Sequence, residues 1–460
     1  MTDTRAHYDL VIIGGGQAGP PLAHAAANAG RRVALFERKQ LGGSCVNFGC
    51  TPTKAAFTSA RVAHQARRGG EYGLRIPSVD VDFAAVLARA RRIVAESVAS
   101  LDRSFEGRDN PRLIRAHARL AGRDGDRFRI DAGGDRMTAT QVVLDTGTRN
   151  LVPSIDGLGD IRFLDADHWL DHDALPHDLL IVGGGYVGLE MSQFYRRMGA
   201  QVTVVHPAPH VTEHEDHDVA DALQRVLEDE GIVFVLGHRA TRFARTARGI
   251  CTTLEKNGGG QRIETSDVFL AAGRRPNTDD LGLDTVGVRL SDKGIVDVDD
   301  RLATSTPGIF AAGDIRGGPM FTHTAWDDHR ILASQLLGDG ARTTHRIVPY
   351  AVFTDPALGR AGMTERQARE ANGNVRVGRF LMRDNGKARQ LGETAGFSKV
   401  VIDADSRQIL GAAVLAFEGA ELVHVYVDLM NARASCDVLR DAVHIHPTLA
   451  EAMQSAVARL

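Results

Sequence analysis

A glycine-rich turn between a strand and a helix occurs twice in this chain, and it constrains the fold more than any other feature. The first copy lies between a predicted strand over Tyr8–Ile13 and a predicted helix over Ala18–Ala29, and a second strand over Val33–Phe36 follows. Its glycines follow the pattern G-x-G-x-x-G: Gly14, Gly16 and Gly19. In such a βαβ unit the backbone can approach a pyrophosphate at the helix N-terminus, and Glu37, after the second strand, can accept hydrogen bonds from a ribose. This unit is therefore predicted to bind a dinucleotide.

The second copy repeats the same order of elements. A predicted strand over Leu179–Val182 and a predicted helix over Leu189–Met198 are followed by a strand over Val202–Val205. The glycines of this turn are Gly183, Gly185 and Gly188. His206 occupies the position at which a site for NAD usually places an acid. Because position 206 carries no carboxylate, no negative charge there would repel a 2′-phosphate. The sequence therefore predicts a slight preference for NADPH over NADH.

The length of the chain leaves room for a further domain. At roughly 150 residues per domain, 460 residues correspond to about three domains. Alternating runs over Phe397–Ile402 and Ile409–Phe417 predict an antiparallel sheet, and the patterns at Glu421–Ala432 and Thr448–Leu460 predict helices. The predicted fold class is α/β, with two Rossmann-like dinucleotide-binding domains and a C-terminal α+β domain.

Charge and hydropathy exclude several kinds of partner. The 55 Lys and Arg residues nearly balance the 58 Asp and Glu residues, so no basic field is expected to attract nucleic acid. The most membrane-like stretch, 409–430, contains four ionisable side chains, which argues against a membrane span. The N-terminal MTDTRAHYDL lacks the pattern of a signal peptide. We therefore expect a cytoplasmic protein without nucleic-acid or membrane partners.

The segment GGSCVNFGCTPTK at 42–54 contains two of the four cysteines, Cys45 and Cys50. A helix is predicted to begin at Thr51, and a helix N-terminus lowers the pKa of a nearby thiol and favours the thiolate that attacks disulfides. A zinc site would need further ligands, and Cys251 and Cys436 lie far away in the sequence. The spacing therefore favours a redox-active thiol pair.

A loop rich in histidine follows the second βαβ unit and allows more than one interpretation. The histidines are His206, His210, His214 and His217. They could contact a 2′-phosphate or a metal ion, or they could belong to a solvated acidic loop, since Glu213, Glu215 and Asp216 lie between them. Two prolines break the helical spacing, so no metal site is predicted here.

A series of motifs extends over nearly the whole chain and resembles that of the flavin-dependent pyridine nucleotide–disulfide oxidoreductases. This family contains dihydrolipoamide dehydrogenase, glutathione reductase and mercuric reductase. The series is GGGQAG at 14–19, CVNFGC at 45–50, DTGTR at 145–149, GGGYVG at 183–188, AAGRRPNT at 271–278, AAGD at 311–314 and HIHPT at 444–448.

The resemblance implies a division into domains and an assembly. An FAD-binding domain would cover 1–149, include the cysteine pair, and continue at 274–345. An NAD(P)-binding domain would cover 150–273, and a dimerisation domain 346–460. The expected assembly is a homodimer.

The resemblance also implies roles for individual side chains. Cys50 would face the flavin, and Cys45 would attack the substrate. Lys54 would lie beside the flavin and pair with Glu190, while Tyr186 would cover the flavin where the nicotinamide docks. The cofactor-binding residues would be Gly14, Gly16, Gly19, Glu37, Gly43, Lys54, Thr146, Gly147, Gly183, Gly185, Tyr186, Gly188, His206, Gly273 and Asp314.

His446 and Glu451, in the pattern H-P-T-x-x-E, complete the predicted site. A histidine of near-neutral pKa can move the proton that thiol–disulfide exchange requires, and a carboxylate can orient it. In the family this histidine reaches the cysteines of the partner subunit.

The predicted function is an enzyme that passes electrons from NAD(P)H through FAD and the Cys45–Cys50 disulfide to a small disulfide, as in dihydrolipoamide dehydrogenase. Mercuric reductases usually lack the histidine found here at His446 and carry a C-terminal cysteine pair, whereas no cysteine follows Cys436. No arginine pair suited to glutathione is evident. Two alternatives remain: a flavin oxidoreductase with a quinone or Hg(II) as acceptor, and a non-catalytic redox sensor.

Overall fold

The structure is a computed structural model that describes residues 6–256 and 259–460. Residues 1–5 lie outside the described residues, so the start of the predicted FAD-binding domain is not part of the description. Residues 257–258, within the predicted NAD(P)-binding domain, also lie outside it. Among the described residues, none of the helices is long and apolar enough to cross a membrane.

The N-terminal part of the chain forms a sheet with helices on its faces. Its elements are β1 (His7–Ile13), α1 (Gly19–Asn28), β2 (Val33–Phe36), α2 (Gly43–Asn47), α3 (Cys50–Arg67), α4 (Phe83–Arg103), β3 (Arg112–Ile114), β4 (Ala118–Asp124), β5 (Arg127–Ala132), β6 (Asp135–Leu144) and β7 (Thr148–Asn150). Strands β3, β2, β1 and β6 pair in parallel, whereas β4 and β5 form an antiparallel extension beside β6. The carboxyl ends of β1 and β6 therefore meet at one edge, as a dinucleotide site requires.

A second parallel sheet follows. Its part of the chain contains β8 (Leu164–Asp165), β9 (Asp178–Val182), α5 (Tyr186–Met198), β10 (Gln201–His206), α6 (His217–Asp229), β11 (Val233–Leu236), β12 (Arg239–Thr246), β13 (Gly249–Lys256), β14 (Gly259–Thr265) and β15 (Asp267–Leu270). The order in the sheet is β11-β10-β9-β15-β8, and β12 to β14 form a separate antiparallel sheet. The chain then passes through β16 (Arg274–Pro276), β17 (Ile309–Ala311) and α7 (Thr322–Leu337), and β17 pairs with β6 of the first sheet.

The C-terminal part contains an antiparallel sheet in the order β18-β19-β22-β21-β20. Its elements are β18 (Tyr350–Val352), β19 (Ala357–Gly362), α8 (Glu365–Asn372), β20 (Val375–Leu381), α9 (Gly386–Gln390), β21 (Phe397–Asp403), β22 (Ile409–Ala416), α10 (Gly419–Leu422), α11 (His424–Asn431), α12 (Asp437–Asp441) and α13 (Glu451–Val457). The predicted α/β fold class with an α+β C-terminal part is confirmed. One hydrophobic core joins the three parts, since Ala60, Phe194 and Leu415 belong to the same buried cluster.

Three predicted helices differ from the observed ones. Helix α5 begins at Tyr186, three residues before the predicted start, because Gly185 in an extended conformation already ends the glycine turn. The helix predicted over 421–432 is divided into α10 and α11 at Val423. The predicted helix over 448–460 is shortened to α13, because the Thr448 N–H donates to the side chain of Glu451 and the helix begins only at Glu451.

Candidate active site

The first glycine turn forms a close contact between β1 and the end of β6. Gly14 has a φ of +111°, and a Cβ there would overlap the carbonyl oxygen of Asp145. A Cβ at Gly16 would lie 2.8 Å from the Asp145 carboxyl group. The Gly15 N–H donates to Glu37 over 2.8 Å. Only glycine fits this turn, and the turn leaves the start of α1 open to a pyrophosphate.

A cavity of about 1720 Å³ extends from this turn to the cysteine pair. This volume exceeds that of pockets for drug-sized ligands, about 300–1,000 Å³, and suits a dinucleotide. The predicted site residues that line it are Gly14, Gly16, Glu37, Gly43, Cys45, Cys50, Lys54, Thr146, Gly147, Tyr186, Glu190 and Asp314. Gly19, at the start of α1, lies behind the lining, and Gly183, Gly185, Gly188, His206 and Gly273 belong to the second glycine turn and its surroundings. The first group fits FAD, because it combines a cradle for the pyrophosphate in the middle of the molecule with a cysteine pair that can act as redox partner of the flavin end.

Asp145 is a buried acid at this cradle that the sequence analysis did not single out, although it begins the DTGTR segment. Its carboxylate accepts a 2.8 Å hydrogen bond from the Gly19 N–H. Burial and the nearby carboxylates of Asp314 and Asp328 raise the pKa of Asp145 well above its usual range. The hydrogen bonds that it accepts from backbone N–H groups lower this pKa but do not outweigh the burial. Burial also raises the pKa of Asp314, which lies 3.2 Å from the Thr148 hydroxyl.

We expect Asp145 to make the protein less stable as the pH rises. A carboxyl group with a raised folded-state pKa contributes stability below its unfolded value of about 3.9, and this contribution disappears as the pH passes the folded value. The wild-type free energy of unfolding should therefore fall relative to that of Asp145→Asn, by at most about 1.4 kcal/mol per pH unit. Chemical denaturation from pH 5 to pH 9 measures the difference. Asp229→Asn, at the exposed end of α6, is the matched control, and parallel curves for wild type and Asp145→Asn would contradict the expectation.

The cysteine pair lies at the junction of two helices. Cys45 is in the short helix α2, and Cys50 is the first residue of α3. The Thr322 hydroxyl, at the start of α7, lies 3.1 Å from the Cys50 sulfur. A hydrogen bond from Cys45, supported by Thr322 and Lys54, lowers the pKa of the Cys50 thiol to about 6, although burial opposes it. The same bond and burial raise the pKa of Cys45. The contacts of the reduced pair therefore favour the thiolate at Cys50 over the thiolate at Cys45.

Lys54 lies one helical turn after Cys50 and forms an ion pair with Glu190. The Lys54 Nζ to Glu190 Oε2 distance is 2.7 Å, and Glu190 is mostly buried. The other carboxylate oxygen of Glu190 accepts a 2.9 Å hydrogen bond from the Phe353 N–H. The ammonium group also lies 4.4 Å from the centre of the Phe353 ring. Glu190 therefore fixes the direction of Lys54 from α5 and connects it to the C-terminal part of the chain.

Tyr186 belongs to a stack of aromatic side chains on one wall of the cavity. Its ring stacks on Tyr350 with centroids 5.5 Å apart, and Tyr350 stacks on Phe321 at 5.3 Å. The hydroxyl groups of Tyr186 and Tyr350 both donate to the buried Glu215, over 3.2 and 2.7 Å. Glu215 also lies 3.0 Å from the guanidinium of Arg360. The stack holds Tyr186 at the boundary between the cavity and the second glycine turn.

The histidine-rich loop is not a solvated acidic loop throughout, as one interpretation of the sequence proposed. The side chain of Glu215 is fully buried against Arg360, and Asp216 is largely buried beside Lys399. Both carboxylates are shielded from water because Arg360 on β19 and Lys399 on β21 lie against the loop. Within the described ranges, no group of three or more His, Cys, Asp or Glu side chains is arranged to hold a metal ion.

His446 and Glu451 form a pair on the outer surface. The Nδ1 atom of His446 lies 2.9 Å from Glu451 Oε1, and the His446 side chain is 76% exposed. The hydrogen bond from the Thr448 N–H lowers the pKa of Glu451 most, and the contact with His446 lowers it further. Val443 and Ile445 next to the pair are exposed as well. The structure joins His446 to Glu451, as the motif predicts, but neither of them lines the cavity that contains Cys45 and Cys50.

Comparisons with known proteins give a consistent family match. The profile described as pyridine nucleotide-disulphide oxidoreductase matches residues 8–328, and the dimerisation domain of the same family matches 348–457. Dihydrolipoyl dehydrogenase of Cupriavidus necator is 31% identical over 98% of this chain and 97% of its own length. The probable pyridine nucleotide-disulfide oxidoreductase RclA of Escherichia coli is 31% identical over 97% of this chain and 98% of its own. A solved Cu(II) complex of the HOCl-induced flavoprotein disulfide reductase RclA from Escherichia coli has a TM-score of 0.87 at 30% identity, covering 98% of this chain and 99% of that one.

Proposed function

The chain belongs to the pyridine nucleotide-disulphide oxidoreductase family, and we propose on that premise that it is an FAD-dependent disulfide reductase. Electrons would come from a nicotinamide nucleotide and leave through the Cys45–Cys50 pair to a small disulfide. The observation that supports this proposal most is the Cys50 thiol, which is hydrogen-bonded to Cys45 and Thr322 and lies near Lys54 on the wall of a dinucleotide-sized cavity.

Each part of the site has a role in this proposal. Bound FAD would supply hydride acceptance from the nucleotide and electron transfer to the disulfide. Glu37 and Asp314 would hold its sugar and ribityl groups, and the glycine turn would hold its pyrophosphate. Lys54 would place a positive charge beside the ring system, and Tyr186 would exclude water from that site until the nucleotide binds.

The two cysteines divide the chemistry between them. Cys50 stays close to Lys54 as a thiolate, whereas Cys45 attacks the substrate disulfide and forms a mixed disulfide with it. Attack by Cys50 on the Cys45 sulfur then releases the second substrate thiol and restores the internal disulfide. Both substrate sulfurs are reduced, and both cysteines are oxidised.

The proton that accompanies this exchange requires a base at Cys45. Because His446 lies outside the cavity of its own chain, we place His446 of the partner subunit there, in a homodimer formed through residues 346–460. Glu451 orients the imidazole, since its Oε1 atom lies 2.9 Å from Nδ1 of His446. A thiol pair that must be reduced in each cycle suits the reducing cytoplasm.

Anaerobic reduction with each nucleotide, followed by reoxidation with separate acceptors, tests the proposed function. We expect two-electron reduction to produce the long-wavelength absorbance of a thiolate next to an oxidised flavin. We expect small disulfides to reoxidise the protein faster than quinones or Hg(II). Reduction without this band, and reoxidation by a quinone alone, would contradict the proposal.

A Cu(II) ion is a second candidate acceptor. The RclA relative has been solved as a Cu(II) complex, and the sulfurs of Cys45 and Cys50 are soft ligands that favour Cu(I) as the product. The dithiol would supply two electrons and reduce two Cu(II) ions while it forms the internal disulfide. Adding Cu(II) to the same set of acceptors compares the two candidates directly.

Thr322→Val is expected to raise the pKa of Cys50 and reduce the thiolate population near neutral pH. A hydrogen bond to a charged group contributes about 1.5–3 kcal/mol, which corresponds to a shift of about one to two pH units. The pH dependence of alkylation by iodoacetamide in the reduced protein measures this pKa, and Thr322→Ser, which keeps the hydroxyl, should resemble the wild type. An unchanged titration midpoint in Thr322→Val would show that Thr322 does not stabilise the thiolate.

A further inference from the structure

We infer that the nicotinamide nucleotide is NADH rather than NADPH, because Glu213 supplies the carboxylate that position 206 lacks. This inference rests on the proposed function, since it concerns the electron donor of the same site. It also revises the preference for NADPH that the sequence suggested from His206 alone. The residues that decide the matter lie in the loop that connects β10 to α6.

The two glycine turns make the same backbone contact with different side chains. In the first, the Gly15 N–H donates to Glu37 over 2.8 Å. In the second, the Gly184 N–H donates to Nδ1 of His206 over 3.1 Å. His206 therefore takes the place of the acid at the end of the second strand and accepts its backbone hydrogen bond. An acid is absent from this position, yet the turn remains held as in the FAD-binding half.

The backbone contact also determines which nitrogen of His206 carries the proton. Because Nδ1 is an acceptor, the neutral ring must carry its hydrogen on Nε2. Burial lowers the pKa of His206, which favours this neutral form. The Nε2 atom lies 3.2 Å from Oε1 of Glu213. The imidazole is thus placed between the glycine turn and a carboxylate from the following loop.

Glu213 is well placed to contact a ribose. Its side chain is 55% exposed, whereas that of His206 is 12% exposed. One carboxylate oxygen faces the imidazole, and the group remains open to solvent on its other side. The ribose of a nucleotide bound to the second glycine turn would lie against this region, where an acid accepts hydrogen bonds from the 2′-hydroxyl in NAD-binding folds.

The loop that carries Glu213 is anchored on both sides, so the carboxylate is held near the turn although it is exposed. On one side, the Thr212 N–H donates to the carbonyl oxygen of Gly184 over 3.0 Å. On the other, Glu215 is buried beside Arg360 at 3.0 Å, and Asp216 lies 3.2 Å from Lys399. Thr212 has a φ of +46°, a conformation that a β-branched residue keeps only when its surroundings impose it.

The charges of the loop disfavour a 2′-phosphate. Residues 206–217 contain no lysine and no arginine, which are the side chains that usually bind this group. His210 lies 2.9 Å from the carboxylate of Asp221 and stacks on His217 with ring centroids 4.2 Å apart. Glu213 would therefore face the phosphate with like charge, and like charges placed together at a binding site strongly disfavour the wrong ligand.

Binding of two nucleotide fragments tests this inference without any turnover. Isothermal titration of the FAD-loaded protein with 5′-AMP and with adenosine 2′,5′-bisphosphate isolates the contribution of the 2′-phosphate. We expect the wild type to bind 5′-AMP more tightly. Glu213→Gln should bind the bisphosphate at least ~10-fold more tightly than the wild type does, because the repulsion is removed. Glu213→Arg should reverse the preference.

The control is Asp229→Asn, which removes one negative charge from the exposed end of α6 and should leave both affinities unchanged. Flavin content and thermal unfolding of each variant verify that the fold is intact. Tighter wild-type binding of the bisphosphate, or an unchanged ratio in Glu213→Gln, would overturn the inference. Flavin reduction by NADH and NADPH is measured in the same preparations. If neither reduces the flavin, the proposed function fails, whereas the fragment affinities still decide the role of Glu213.

Discussion

Cys45→Ser is expected to lose disulfide reduction by at least ~10³-fold, the scale of loss when a catalytic nucleophile is removed. A serine hydroxyl does not form a mixed disulfide with the substrate, so the exchange with an external disulfide stops. The serine hydroxyl can still donate a hydrogen bond that favours the Cys50 thiolate, and Cys50 should stay reduced because no partner thiol is left with which it could form a disulfide. The variant should therefore show the long-wavelength band before any nucleotide is added, and NADH should still reduce its flavin.

Two further cysteine variants make this result specific. Cys50→Ser should also lose disulfide reduction, but it should lack the band, because the thiolate near Lys54 is gone. Cys436→Ser, at a buried cysteine of the C-terminal part, should keep both the band and the turnover. If Cys45→Ser retained full disulfide reduction, the thiol exchange at this pair would not be the reaction of this protein.

The second large effect is expected for His446→Gln. Loss of a general acid–base group typically reduces the rate by about 10²–10⁴-fold, and the variant should keep its fold because the His446 side chain is exposed. Disulfide reduction should fall in this range. Reduction of the flavin by the nucleotide should be unaffected, because the proton that His446 moves belongs to the exchange at Cys45 and not to the transfer from nucleotide to flavin.

Mixing two inactive variants distinguishes a histidine from the partner subunit from one in the same chain. In a mixed dimer of His446→Gln and Cys45→Ser subunits, one site combines intact cysteines with an intact histidine. Random exchange at equal amounts would form half mixed dimers with one working site each, so activity should recover to about a quarter of the wild type. No recovery after verified subunit exchange would show that His446 does not act across the interface.

The parts of the fold that could be predicted from the sequence are those with a local pattern. The strand over Val33–Phe36 is observed with the predicted bounds, since a short apolar run after a helix and a glycine is typical of a buried strand. The start of α5 differs from the prediction because the helix begins directly after the glycine turn, at Tyr186. A pattern of apolar residues gives no signal at a residue whose helical conformation is set by the backbone alone.

The site could be predicted only where a motif marks it. The contact of Thr322 with Cys50 joins residues 272 positions apart, and a single threonine at the start of a helix gives no signal. Asp145 belongs to a recognised segment, but its burial depends on the packing of Gly19 and Gly313 around it. The loop at 211–216 has an acidic composition, and only strands far along the chain supply the cations that bury it.

Glu190 also has a kinetic consequence. Its single carboxylate contacts Lys54 from α3 and the backbone of Phe353, while its own helix α5 belongs to the second sheet. A hinge motion that separated these parts would break both contacts and open the shared core around Phe194. Nucleotide entry is therefore expected to use rotation of the Tyr186 side chain. Such a rotation leaves the parts of the chain in place, so nucleotide binding should not require the microsecond-to-millisecond closure of whole domains.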